Sequence, residues 1–159
     1  MSTIRPAAIA GMFYPDDKHE LHRYLTKLLQ QTKPTTPLHP KAIIVPHAGY
    51  IYSGPVAASA YHLLQPYRTI IKRVVLLGPS HRVPLFGLAA SSADYFTTPL
   101  GDIAIDVMST HSALQLPQVK LMNEAHALEH SLEVQLPFLQ AVLNSFTLVP
   151  MVVGEATAD

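Results

Sequence analysis

The sequence predicts an α/β protein, a three-layer sandwich around a mostly parallel or mixed sheet. Three observations carry that expectation. The runs Ala42-Ile43-Ile44-Val45, Arg73-Val74-Val75-Leu76-Leu77 and residues 146–154 are almost continuously apolar, as strands covered on both faces are. Residues 56–64, between the first two runs, have helical composition, so strand, helix and strand form a βαβ unit with parallel pairing and a right-handed crossover. Upstream, Leu21, Leu25, Leu28 and Leu29 recur at helical spacing on one face.

In chain order, residues 7–14 read as a loop around Gly11, and Pro15-Asp16-Asp17 opens a helix with acidic residues in its first turn. That helix runs over 18–31. The prolines and threonines of 32–40 make a loop, and 42–45 is the first strand. Residues 51–55 are a second loop, followed by the 56–64 helix and the 73–77 strand. The pieces Leu88-Ala89-Ala90 and Ile103-Ala104-Ile105 flank a hairpin-like excursion through Pro99-Leu100-Gly101. Helix signals resume over 108–114 and 130–143, the latter kinked or restarted by Pro137. The 146–154 strand follows. A parallel strand normally feeds a covering helix, and only five residues remain. Residues 1–159 are therefore expected to form one domain that is the N-terminal part of a larger one.

Composition removes several function classes. Of 159 residues, 48% are hydrophobic and only 14% charged, which excludes a solvated, disordered chain. Eleven basic residues balance eleven acidic ones, so no global field favours nucleic acid or an anionic membrane. No apolar run approaches the roughly 18 residues of a membrane span, and no secretory signal opens the chain. A cytoplasmic protein is expected. With no cysteine, disulfides, thiolate nucleophiles and cysteine-ligated zinc are absent from this stretch.

Nine histidines raise the prospect of metal or acid–base chemistry. His47 and His81 each lie directly beyond an expected parallel strand, in the turns Val45-Pro46-His47-Ala48-Gly49-Tyr50 and Leu77-Gly78-Pro79-Ser80-His81. Ligands of open α/β sheets bind outside those strand ends. Two imidazoles from neighbouring tips can share one ion at about 2 Å. The plainer alternative leaves each as a loop residue. His126 and His130 stand four apart, but Ala127 occupies the position where a zincin helix carries glutamate, so that reading fails. Glu129, His130 and Glu133 remain as a carboxylate and base at a helix start; the alternative has Glu129 capping the helix and His126 solvated. Tyr14, Tyr50 and Tyr52 are candidate pocket aromatics, against simple packing.

These motifs carry a family resemblance. The 45–54 stretch Val-Pro-His-Ala-Gly-Tyr-Ile-Tyr-Ser-Gly, the Leu77-Gly78-Pro79-Ser80-His81 turn and the opening Ala10-Gly11-Met12-Phe13-Tyr14-Pro15 resemble the Memo-like family, component B of the AmmeMemoRadiSam system. Thr98-Pro99-Leu100-Gly101, Glu129-His130-Ser131-Leu132-Glu133 and Val149-Pro150-Met151-Val152-Val153-Gly154 fit the same pattern in order. The resemblance implies a fold similar to the class III extradiol ring-cleaving dioxygenases. It implies a divalent metal, iron(II), on His47 and His81, with His130 and Glu133 as catalytic groups and Tyr14, Tyr50 and Ser80 lining the pocket. Members of the family continue past the Val-Val-Gly strand and typically draw a third ligand, a cysteine, from there. With two histidines alone, iron is held weakly or not retained.

The function expected is thus a dioxygenase-like protein acting on a small aromatic molecule. The alternative is a non-catalytic metal-handling or phosphotyrosine-peptide-binding adaptor. Partners are such a small molecule or peptide and a second copy in a homo-oligomer, with neither nucleic acid nor membrane.

Overall fold

A computed structural model describes residues 2–32 and 39–156. The chain is α/β, with two mixed sheets flanked by helices. After the short strand β1 (Ile4–Arg5) comes α1 (Lys18–Gln31), whose start is fixed by the Asp17 carboxylate accepting from the Glu20 amide at 2.8 Å. The leucine stripe of α1 is buried throughout. Next are α2 (Tyr50–His62), β2 (Arg73–Pro79), β3 (Leu88–Ala90), β4 (Tyr95–Thr98) and β5 (Gly101–Ala104). Then follow α3 (Val107–Ala113), β6 (Val119–Leu121), α4 (Asn123–Ala127), α5 (Leu136–Val142) and β7 (Thr147–Val153).

The larger sheet has the order β2-β7-β3-β6. β2 and β7 pair in parallel along their whole length, and β3 runs antiparallel to β7 and parallel to β6. The smaller sheet, β1-β4-β5, contains the expected hairpin. Gly101 supplies its turn at φ 123°, a conformation open to glycine and strained for any other residue. β7 is buried on both faces: Leu148 faces the main core with Phe96, Phe138 and the α1 leucines, while Val149 and Met151 pack on the opposite side near Ala113 and Val119. Tyr61 of α2 stacks on Phe138 of α5, with ring centroids 5.0 Å apart and planes 4° from parallel.

Three expectations are corrected here. The run 42–45 forms no strand and joins no ladder, and Ile44 is fully exposed. The parallel partner of β2 is β7, drawn from the far end of the described chain, so the simple βαβ unit does not form. The second helix begins at Tyr50, six residues earlier than expected, taking the 51–55 stretch into its first turns. Pro55 lies in the second turn of α2, where its ring leaves the Ile51 carbonyl without the usual helical amide donor. α2 is also apolar on the side away from the core, where Ile51, Tyr52 and Val56 are exposed. No helix among the described residues is long and apolar enough to cross a membrane.

Candidate metal centre

The site is assembled at the ends of β2 and the 42–46 segment by one short stretch, residues 129–135, which lies against both. Gly78 makes the contact possible, since a Cβ there would meet Ser131 Oγ at 2.7 Å and Leu132 Cδ2 at 2.9 Å. Ser131 Oγ donates to the Pro79 carbonyl at 2.8 Å, two residues before His81. Gln135 Nε2 donates to the Pro46 carbonyl at 3.1 Å, one residue before His47, and its Oε1 accepts from Tyr61. Ser80 closes the β2 turn by donating from its hydroxyl to the Val83 carbonyl.

Three imidazoles meet there. The ring centroids of His47 and His81 are 5.1 Å apart, those of His81 and His130 4.4 Å, and those of His47 and His130 6.0 Å. Glu129 organises them. Its carboxylate accepts from the His81 amide at 2.6 Å, the His130 amide at 2.8 Å and the Ser131 amide at 2.9 Å, and it faces His81 Nδ1 at 2.9 Å. Burial opposes ionisation of Glu129, but the donors from His81 and Ser131 outweigh it and hold the carboxyl down at about 2. An ionised carboxylate only accepts, so His81 Nδ1 carries the ring proton and Nε2 is left bare. That is how a carboxylate orients a metal-binding histidine. Donor atoms of His81, Glu129 and His130 all lie within 4.8 Å of one another, a nitrogen–oxygen set compatible with a divalent metal. His47 sits beside that group. Burial first, with the neighbouring His81 and His47 after it, lowers the pKa of His130 against the pull of Glu129.

The other candidate residues are placed elsewhere. Glu133 is 0% exposed, and its carboxylate pairs with Arg5 and accepts from the Ala8 and Ile9 amides and the Tyr14 hydroxyl. It therefore binds the N-terminal segment to the interior and presents no face to the imidazoles. Tyr14 and Tyr50 are buried in the core, Tyr50 donating to the Val134 carbonyl at 2.7 Å. Ser80 shapes the turn rather than facing the group. His126, with 2% exposure, is not solvated: it lies in the interior against Phe96, its Nε2 on the Ala89 carbonyl. The sequence offers Glu129 as a carboxylate beside His130 but does not show what it does, and one contributor goes unread. The orienting role of Glu129 had only its position beside His130 as a signal, and Phe13, whose ring stands 5.0 Å from that of His130, had none.

The class of protein defined by this geometry is an α/β fold with a histidine–carboxylate cluster compatible with a divalent metal, and comparison with known proteins gives the family. The profile of the Memo-like protein family matches residues 5–159, and this chain belongs to that family. It is 44% identical to a MEMO1 family protein of Aquifex aeolicus over 151 residues, covering 94% of this chain and 55% of the relative. Identity to human Protein MEMO1 is 37% over 155 residues, covering 94% and 51%. The Protein memo-1 homolog of Caenorhabditis elegans is 39% identical over 153 residues, covering 94% and 43%. The chain spans about half the length of the curated relatives it matches.

Proposed function

We propose that the imidazole cluster holds iron(II) on His47 and His81 and that the protein is a class III extradiol dioxygenase-like protein acting on a small aromatic substrate. The observation that carries this reading is the convergence of His47, His81 and His130 within ring distances of 4.4–6.0 Å, with His81 locked by Glu129. Iron bound there supplies open coordination positions at which a catechol and dioxygen can meet. Glu129 keeps the proton on His81 Nδ1 and so keeps Nε2 directed outward. His130, a neutral imidazole on the same rim, takes the phenolic proton of the substrate. Phe13 backs the His130 ring, with centroids 5.0 Å apart.

Metal analysis and oxygen uptake on the iron-loaded protein with a catechol panel test this reading. His81→Ala loses bound iron, whereas His130→Ala keeps the iron and loses uptake. Full metal content in His81→Ala sinks the assignment.

A second reading draws on the same rim. Arg82 lies near enough to act electrostatically on His130, and Glu129 is already engaged by the His130 and Ser131 amides, so the rim offers a fixed positive charge beside imidazole donors. Such a surface suits the phosphate of a phosphotyrosine peptide in a non-catalytic adaptor. Titration of that peptide separates the two, because affinity unchanged in His47→Ala removes the cluster from binding.

A further inference from the structure

A line of aromatic rings leads away from the histidine cluster. The Phe13 ring stands 5.0 Å from that of His130, and the next residue in the chain is Tyr14. From Tyr14 the ring centroids step 5.5 Å to Tyr50 and a further 6.4 Å to Tyr24, a half-buried residue of α1. A polar link runs from the cluster to the same rings. The Val134 amide donates to the His130 carbonyl at 3.1 Å, and the Val134 carbonyl accepts from the Tyr50 hydroxyl at 2.7 Å. Every ring past Phe13 on this line is a phenol.

The buried phenols differ in what can receive their protons. Loss of an electron turns a phenol into a strong acid, so the electron leaves readily only where a base takes the proton with it. Tyr50 donates to a backbone carbonyl, and Tyr61, off the line, to the amide oxygen of Gln135. Neither acceptor is basic enough to keep a proton. Tyr14 instead donates to the Glu133 carboxylate at 2.6 Å. The other partners of that carboxylate, Arg5 and the Ala8 and Ile9 amides, are all donors, so it is ionised and has room for one proton. Burial first, then the hydrogen bond and charge of Glu133, push the Tyr14 pKa up, and the phenol stays protonated until an electron is withdrawn. Neutralising Glu133 does not strand Arg5, which also donates to the His126 and Glu129 carbonyls at 3.0 and 2.8 Å.

We infer that Tyr14 and Glu133 form a redox-active pair that takes up an oxidising equivalent from the histidine cluster, and that Tyr50 and Tyr24 connect the pair to reductants in solution. Tyr14 gives one electron to the cluster and its hydroxyl proton to Glu133 Oε1, leaving a neutral phenoxyl radical beside a neutral carboxylic acid. The oxidant is a peroxide, reduced to water by one electron from iron(II) and one from Tyr14, with both protons drawn from solvent. An electron from an ascorbate-type reductant, passed through Tyr24 and Tyr50, and the return of the proton from Glu133 restore the pair. The arrangement drains the site when dioxygen is reduced there without substrate. Delivery of the oxidising equivalent rests on the iron reading above, whereas the pair rests on the contacts of Tyr14 alone.

Electron paramagnetic resonance tests both parts. In one arm the metal-free protein is oxidised by a flash-generated ruthenium polypyridyl oxidant; in the other, the iron(II)-loaded protein is mixed with hydrogen peroxide. The expected result in each is a persistent tyrosyl spectrum that narrows with ring-deuterated tyrosine, is lost in Tyr14→Phe and is unchanged in Tyr95→Phe. In the wild type it carries a proton coupling at the phenoxyl oxygen, from the newly protonated Glu133, that disappears after exchange into deuterium oxide. Added ascorbate quenches the radical, more slowly in Tyr50→Phe. A flash-generated radical that survives Tyr14→Phe, or that lacks the exchangeable coupling, overturns the pair without any metal being involved. Quenching as fast in Tyr50→Phe as in the wild type overturns the outlet. A Tyr14 radical formed by the flash but not by peroxide with iron overturns the delivery and counts against the iron reading, while the pair stands.

Discussion

His126 occupies the interior with one nitrogen satisfied and one bare: Nε2 donates to the Ala89 carbonyl at 2.8 Å, while Nδ1 has no hydrogen-bond partner among the described residues. That arrangement suits the neutral imidazole and no other form. Burial, helped by the Arg5 charge, depresses its pKa to about 4, against the Ala89 carbonyl and Glu129, which favour the cation. The unfolded chain therefore takes up this proton first, near the ordinary histidine value of about 6.5. Stability is insensitive to the group above that pH and falls as pH drops from about 6.5 to about 4, by about 3 kcal/mol in all. Urea unfolding across that window reads it directly. His126→Gln, which keeps a donor for Ala89, should flatten this part of the profile, and a profile as steep as the wild type contradicts the argument. Glu129 stays ionised through the same window, so the two groups act on different parts of the acid limb.

Among the elements, the 129–135 turn has the widest reach. It holds the Pro79 carbonyl through Ser131 and the Pro46 carbonyl through Gln135, and so sets how far apart the two histidine turns stand. Gln135→Leu removes the second tie and leaves the first. The expected outcome is a metal affinity lowered by about 10-fold, with the His81–Glu129 pair intact, since outer partners of ligands commonly contribute 10- to 100-fold. Competition against a chromophoric chelator measures it, and unchanged affinity rules out the positioning role. Periodicity made much of the element level legible. The α1 stripe, the 88–90 strand, the hairpin and the restart at Pro137 stand where the pattern puts them. The 42–45 run reads as a buried strand yet forms none, because a local apolar pattern carries no information about which strand lies beside it. The start of α2 was hidden by Gly49, Gly54 and Pro55, residues that punctuate chains elsewhere. The nearness of His47 and His81, with ring centroids 5.1 Å apart, is what strand-end logic anticipates, although 42–46 forms no strand; His130 enters only through the family resemblance, and Glu129 acts through amides that no side-chain spacing reveals.

At the scale of the whole molecule, the first described strand is tied to the site by a buried charge. Arg5 donates to the carbonyls of His126 and Glu129 at 3.0 and 2.8 Å and pairs with Glu133, which in turn holds the Ala8 and Ile9 amides. These partners stand more than 120 residues apart in sequence, beyond the reach of any motif. Removing one member strands the other without water: Arg5→Met should cost about 3–5 kcal/mol in chemical denaturation. Adding Glu133→Gln to that variant should restore part of the loss, and two single losses that simply add would refute the pairing. The same bracing has a thermodynamic corollary. A network that fixes the imidazoles also fastens the amino-terminal end, so occupancy and melting must rise together. An ion at 100 times its dissociation constant raises resistance to unfolding by about 2.7 kcal/mol. A heating curve recorded with and without added ion therefore serves as a binding assay that needs no knowledge of the reaction.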